Sequence, residues 1–323
     1  MWMELLAIAA GFALLTWSAD RFVAGASALA YNLNISPLII GLTIVSLGTS
    51  APEILVSAVA SLQGNGSLAI GNALGSNIIN IALVLGVTAL IVPLNIHSGI
   101  VRREIPVLIG VMVLALLLLL DGTLGRLDGV ILLSGMVLML IWMTRVGVKE
   151  KSSHDPMSEE FADEIPTNMS IRTAVLWTII GALILLASSK ILVWGAVSIA
   201  HSMGVSDLVI GLTIVALGTS LPELAACIMS ALKNEHDIAI GNIIGSNIFN
   251  LLAVLGLPGL ISPLAVADVV LTRDYPVMVC LTLAFLVMAY GFRGPGRINR
   301  VEGASLVLAF VGYQTLLYFS EIA

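Results

Sequence analysis

Long apolar stretches leave this chain almost no surface that water could wet. Only one sizeable polar stretch, Lys149 to Asn168, interrupts 323 residues that otherwise run as a succession of apolar segments. A membrane-spanning helix needs roughly 17–25 mostly apolar residues. Ten runs qualify, at about 4–31, 36–62, 68–92, 104–120, 127–145, 172–200, 206–232, 238–262, 274–291 and 299–320. Charged residues make up only 11 % of the chain, against about 25 % in a soluble domain. Lipid is therefore the expected solvent. In lipid every backbone N–H and C=O must find its partner inside the protein, which favours helices. The expected fold is an all-α membrane protein with ten transmembrane helices, embedded in the lipid bilayer.

The net charge is −6, with much of the acid gathered between Glu150 and Glu164, and no basic tract suggests nucleic acid. Cys227 and Cys280 both lie inside apolar runs, so a disulfide framework is not expected. The start of the chain, Met1-Trp2-Met3-Glu4, lacks the basic region of a cleaved signal peptide, and the first run reads as a retained helix. Lysine and arginine placement sets orientation. With the N-terminus outside, eleven basic residues fall on the inner side and only Arg126 and Arg273 on the outer. Both termini should then face away from the cytoplasm.

The two halves of the chain match at a constant offset of 170 residues. GLTIVSLGTSAPEILVS at 41–57 faces GLTIVALGTSLPELAAC at 211–227, identical at 11 of 17 positions. IGNALGSNIIN at 70–80 faces IGNIIGSNIFN at 240–250, identical at 8 of 11. Pro93 pairs with Pro263, and Arg103 and Pro106 with Arg273 and Pro276. One fixed offset marks a duplication. Five spans per copy is an odd number, so the second copy enters the membrane from the opposite side, a common transporter plan. The expected organisation is a first five-helix repeat at 1–147, a cytoplasmic linker at 148–170 and an inverted second repeat at 171–323.

Similarity is densest around polar residues inside apolar runs, where packing alone would favour the apolar ones. Glu53 and Glu223 hold equivalent positions in the second and seventh runs. A carboxylate at mid-helix costs about 2.5–3.5 kcal/mol on insertion scales and marks a functional site by default. Lys190 and Arg21 are the only cations well inside a run, and neither is duplicated. Two acids without matching bases ask for a cation from solution. Thr49, Ser50, Thr219 and Ser220 place hydroxyls about a turn before each acid. Ser76 and Asn80, like Ser246 and Asn250, recur at i, i+4 on one helical face. Asn72, Asn77, Asn242 and Asn247 add amides. Oxygen donors of this kind suit Ca²⁺, whereas zinc or copper would want His or Cys, and all four histidines fall in or near loops.

Pro52 and Pro222 each remove a backbone donor beside the acid, with Gly48 and Gly218 alongside. The second and seventh helices are expected to break there, freeing carbonyls as cation ligands. Gly71 and Gly75, like Gly241 and Gly245, form pairs that let helices approach closely.

These blocks resemble the two alpha-repeats of the cation/calcium exchanger superfamily, in its bacterial sodium/calcium exchanger branch. The resemblance spans nearly the whole chain and implies an antiporter exchanging Ca²⁺ for Na⁺ by alternating access. It implies that Glu53, Glu223, Thr49 and Thr219 hold calcium. Sodium would use the same acids with Ser50, Ser76, Ser220 and Ser246 and the backbone carbonyls of Ser46 and Ala216. Asn80 and Asn250 would flank the central position, and the first and sixth spans would be sliding gate helices. Many relatives carry Asp at the position of Asn250, so Asn in both halves argues for potassium independence. Gly75 and Gly245 stand where proton/calcium exchangers carry an acid, which disfavours proton coupling.

No cofactor and no protein partner is implied, only Ca²⁺ and Na⁺ as substrates. An enzyme is not expected, since no histidine reaches the apolar core to serve a nucleophile. The closest rivals are proton-coupled or manganese-carrying exchangers, with a cation channel further off. The expected location is a bacterial inner membrane with both termini periplasmic.

Overall fold

The computed structural model describes residues 2–33, 35–96, 103–150, 169–203, 216–290 and 296–322. The helices are α1 (Trp2–Leu33), α2 (Pro37–Thr49), α3 (Ala51–Leu62), α4 (Gly66–Ile91), α5 (Ile105–Leu119), α6 (Arg126–Glu150), α7 (Ile171–Ser202), α8 (Ala216–Thr219), α9 (Leu221–Leu232), α10 (His236–Ile261), α11 (Val270–Ala289) and α12 (Arg300–Ile322). Among the described residues, seven helices are long and apolar enough to cross a membrane, and eight if the bent pair α2–α3 counts as one span. Helices α5 and α9 are apolar but shorter. The protein is thus an all-helical membrane protein apart from two short antiparallel ladders, which the sequence did not announce. These pair β1 (Leu94–Ile96) with β4 (Gly296–Ile298), and β2 (Thr123–Leu124) with β3 (Leu264–Ala265). Each strand is only two or three residues long, too short for a period-2 pattern to register. The expected acidic linker at 151–168 and the first part of the expected seventh span, 206–215, lie outside the described residues.

The chain forms two compact units, each drawing on both sequence halves: Met1–Pro52 with Val137–Gly245, and Glu53–Met136 with Ser246–Ala323. In the first unit α1 lies along α7. Lipid tails are as apolar as leucine, so helices in a membrane associate mainly by close packing of small residues. Four glycines provide it here. A Cβ on Gly11 would lie 3.0 Å from Leu192, and one on Gly181 would lie 2.8 Å from the Phe22 backbone. Toward the other ends, a Cβ on Gly25 would meet the backbone of Thr178 at 2.7 Å, and one on Gly195 the carbonyl of Glu4 at 2.9 Å. Gly11 and Gly181 are 170 residues apart, as are Gly25 and Gly195, Phe22 and Leu192. As position rises along α1 the partner position falls along α7, so the two helices run antiparallel. Leu15, Ala19, Phe22, Ala26 and Leu185 form the buried core along this seam, with Ile40, Val45 and Ala226.

Helix α2 approaches the first half of α10 just as closely. A Cβ on Gly41 would meet the Ile238 carbonyl at 2.7 Å, and one on Gly245 the Leu42 carbonyl at 2.6 Å. Gly241 and Gly245 therefore pack as expected, whereas Gly71 and Gly75 have no neighbour within 4 Å among the described residues.

In the second unit the same logic recurs. Gly129 of α6 touches Gly256 and Gly259 of α10, and Gly303 of α12 touches Gly86 of α4. Gly86 and Gly256 are again equivalent positions. Helix α10 and helix α4 both widen midway into a π-turn, at Asn250–Val254 and Asn80–Leu85. The turns joining α3 to α4 and α9 to α10 each need one residue with positive φ. Gly64 (φ 76°) fills the first and Asn234 (φ 60°) the second, the residue types that tolerate this region.

Candidate functional site

Serine turns interrupt both GTSxPE motifs. Ser50 has φ −82°, ψ 6° and Ser220 has φ −89°, ψ 5°, between the helical and extended regions. The cause lies two residues on. Pro52 and Pro222 sit at the second position of a new helix, where the missing N–H would be an unsatisfied donor anyway. The same prolines deprive Gly48 and Gly218 of the N–H four residues ahead. Helices α2 and α3 consequently meet at 46°. The freed carbonyl of Gly218 accepts a hydrogen bond from Ser189 Oγ at 2.8 Å. Ala19, the equivalent of Ser189, has no hydroxyl to do the same for Gly48.

The first unit contains Ser46, Thr49, Ser50, Ala216, Thr219, Ser220 and Glu223 among the residues singled out in the sequence. Ser50 Oγ donates to Glu223 Oε1 at 3.0 Å, joining a hydroxyl from the first motif to the acid of the second. Glu223 is 2 % exposed, and its Oε2 has no hydrogen-bond partner among the described residues. No described lysine or arginine pairs with it. Ser220 Oγ, also buried, has no partner among the described residues either. Thr49 Oγ1 donates to Asn242 Oδ1 at 3.1 Å, and Thr219 is part-buried. The carbonyl of Ser46 accepts the Ser50 N–H at 2.9 Å, so one of its two lone pairs is engaged within the chain turn. Ala216 opens the one-turn helix α8.

The second unit contains Glu53, Ser76, Asn80, Ser246 and Asn250, all buried. Glu53 is 1 % exposed, and its backbone carbonyl accepts Asn72 Nδ2 at 3.1 Å. Asn80 Nδ2 donates to Asn247 Oδ1 at 3.2 Å, bridging α4 and α10. Asn80 Oδ1 and both amide atoms of Asn77 and Asn250 have no partner among the described residues. Leaving such a buried atom unpaired costs about 1–3 kcal/mol, and three asparagines sharing that condition fit a place where something polar binds. Two of the described π-turns begin at Asn80 and Asn250, while others span Gly41–Val45 and Val270–Asp274. Turns of this kind cluster at functional sites, and no residue pattern in the sequence announced them.

The sodium/calcium exchanger protein family matches residues 3–145 and 173–319. The chain belongs to that family. CaxA of Alkalimonas amylolytica is 53 % identical over 310 residues, covering 96 % of this chain and 97 % of its own. Inner membrane protein YrbG of Escherichia coli is 42 % identical over 310 residues, covering 96 % and 95 %. Among solved structures, the sodium-calcium exchanger NCX_Mj soaked with zero Na⁺ and Ca²⁺ superposes with TM-score 0.84 at 32 % identity, covering 98 % of this chain and 99 % of its own. Membership brings cation antiport with it.

Proposed function

We propose that this exchanger moves Ca²⁺ against Na⁺ by alternating access, independently of potassium. Glu223 carries the reading: a fully buried carboxylate with one oxygen on the Ser50 hydroxyl, the other without a partner among the described residues, and no described lysine or arginine paired with it. A bare carboxylate in that position is costly, and a transported cation relieves the cost. The duplicated Glu53 supplies the second negative charge. Two charges balance one Ca²⁺, and three Na⁺ would leave one net positive charge, so the cycle is electrogenic. The empty carrier, holding uncompensated acids, resists switching faces, and exchange becomes obligatory.

Thr49, Thr219, Ser50, Ser220, Ser76 and Ser246 serve as hydroxyl ligands in this reading, Ser46 and Ala216 as carbonyl ligands, and Asn80 and Asn250 flank them. Support comes from the oxygen chemistry of the set, which suits a hard cation, and from NCX_Mj, solved after soaking with Na⁺ and Ca²⁺ at TM-score 0.81 and 33 % identity. The ten-span plan in two inverted repeats, with both termini periplasmic in an inner membrane, belongs to the same proposal. The antiparallel, glycine-matched pairing of α1 with α7 supports the inverted plan, and the name of YrbG supports the membrane.

The test is ⁴⁵Ca²⁺ uptake into proteoliposomes loaded with sodium, against vesicles loaded with choline or potassium. Uptake should require internal sodium and be indifferent to potassium. Uptake driven instead by a pH gradient would move the protein to proton coupling, and uptake of Mn²⁺ alone would change the cargo.

A further inference from the structure

Asn242 is wholly buried and hydrogen-bonded on both edges of its amide. Its Oδ1 accepts the Thr49 hydroxyl proton at 3.1 Å. Its Nδ2 donates to Cys227 Sγ at 3.3 Å, and Cys227 Sγ in turn donates to the Ala239 carbonyl at 3.6 Å. All four residues lie in the first unit.

A threonine hydroxyl has one proton and two lone pairs. To ligate a cation it must send the proton elsewhere and keep a lone pair toward the ion. Of the other acceptors within reach of the Thr49 hydroxyl, the Ser46 carbonyl is farther at 3.4 Å, and the Glu223 carboxylate is the second. An asparagine amide could offer either edge to Thr49, and the Cys227 sulfur decides which by holding the NH₂ edge on the far side. The relay thus runs in one direction: Thr49 to Asn242, Asn242 to Cys227, Cys227 to the backbone. Each proton points away from the Thr49 oxygen.

The other repeat does not copy this wiring. Asn72, equivalent to Asn242, spends its Nδ2 on the Glu53 carbonyl, and Ser57, equivalent to Cys227, donates to the Val254 carbonyl at 2.6 Å. We infer that Asn242 is a positioning residue that aims the Thr49 hydroxyl oxygen at the transported cation, and that Cys227 fixes the amide orientation. This rests on the proposed Ca²⁺ exchange, which supplies the cation.

A double-mutant cycle on full-length protein in sodium-loaded proteoliposomes tests it. Asn242→Ala should raise the Ca²⁺ concentration for half-maximal uptake about tenfold, the scale of one lost hydrogen bond at a ligand, with the maximal rate within about twofold. In a Thr49→Val background the same change should add nothing, because the hydroxyl it aims is gone. Cys227→Ser, which keeps an acceptor for the amide, should stay near wild type, while Cys227→Ala should raise half-saturation about threefold. Equal tenfold effects of Asn242→Ala on both backgrounds, or none on either, overturn the inference while leaving exchange intact. If Asn242→Ala does not fold, matching values for Cys227→Ser and Cys227→Ala overturn it. Wild type that takes up no Ca²⁺ under a sodium gradient defeats the proposed function and this inference with it.

Discussion

The seam between α1 and α7 obeys the 170-residue repeat almost residue for residue, while the polar contacts around the two GTSxPE motifs do not. Along the seam Gly11 meets Leu192 and Gly181 meets Phe22, Gly25 meets Thr178 and Gly195 meets Glu4. Around the motifs, Ser189 caps the Gly218 carbonyl where Ala19 has nothing to offer, and Cys227 orients Asn242 where Ser57 turns to Val254. Lys233 pairs with Asp20 at 2.8 Å, yet the equivalent positions hold Gln63 and Lys190. Glycine packing is a backbone property that duplication preserves, because any added Cβ collides with main chain. Hydrogen bonds depend on single side-chain atoms and diverge freely. In the proposed alternating-access cycle, a contact without a counterpart would stabilise one face over the other.

Glu53→Gln and Glu223→Gln should each abolish Na⁺-driven Ca²⁺ uptake, by more than about 100-fold, since each removes half the charge that balances the cation, while the purified variants stay monodisperse in detergent. Uptake retained in one of them would show that the asymmetry reaches the acids themselves. Gly25→Leu and Gly181→Leu should each lower stability by about 1–3 kcal/mol, read as melting temperature in detergent, because the new side chain meets backbone on the facing helix. Gly71→Ala should stay within about 0.5 kcal/mol of wild type, having no described neighbour within 4 Å. The smallest effect belongs to the Asp20–Lys233 pair. Both side chains are about a third exposed, so Lys233→Gln should cost at most about 1 kcal/mol. It should shift the ratio of Na⁺ sensitivities at the two faces by no more than about fivefold, measured in inside-out and right-side-out vesicles.

Much of this was legible in the amino-acid order. Apolar runs located the helices because lipid demands continuous hydrophobic length, and α1, α4, α7 and α10 fall within a few residues of the expected runs. Pro52 and Pro222 announced the breaks, since a missing N–H acts on the chain's own backbone. Cross-chain wiring was invisible. Nothing in the order of residues says that Ser50 meets Glu223 or that Thr49 meets Asn242, because each bond depends on which helix lies alongside. Asn242 itself read as one amide among four, and its neighbour Cys227 as a plain apolar-run cysteine. The π-turns at Asn80 and Asn250 were equally silent, for they follow from packing and carry no proline or glycine signature at their first residue.

In the proposed exchange, one set of buried oxygens serves both ions in turn. Equilibrium ⁴⁵Ca²⁺ binding to the purified protein, titrated against Na⁺, addresses it most directly. Na⁺ should displace Ca²⁺ completely, raising the Ca²⁺ half-saturation while the plateau at high Ca²⁺ stays unchanged. Ca²⁺ that remains bound at saturating Na⁺, or a plateau that falls with no shift in half-saturation, would contradict it.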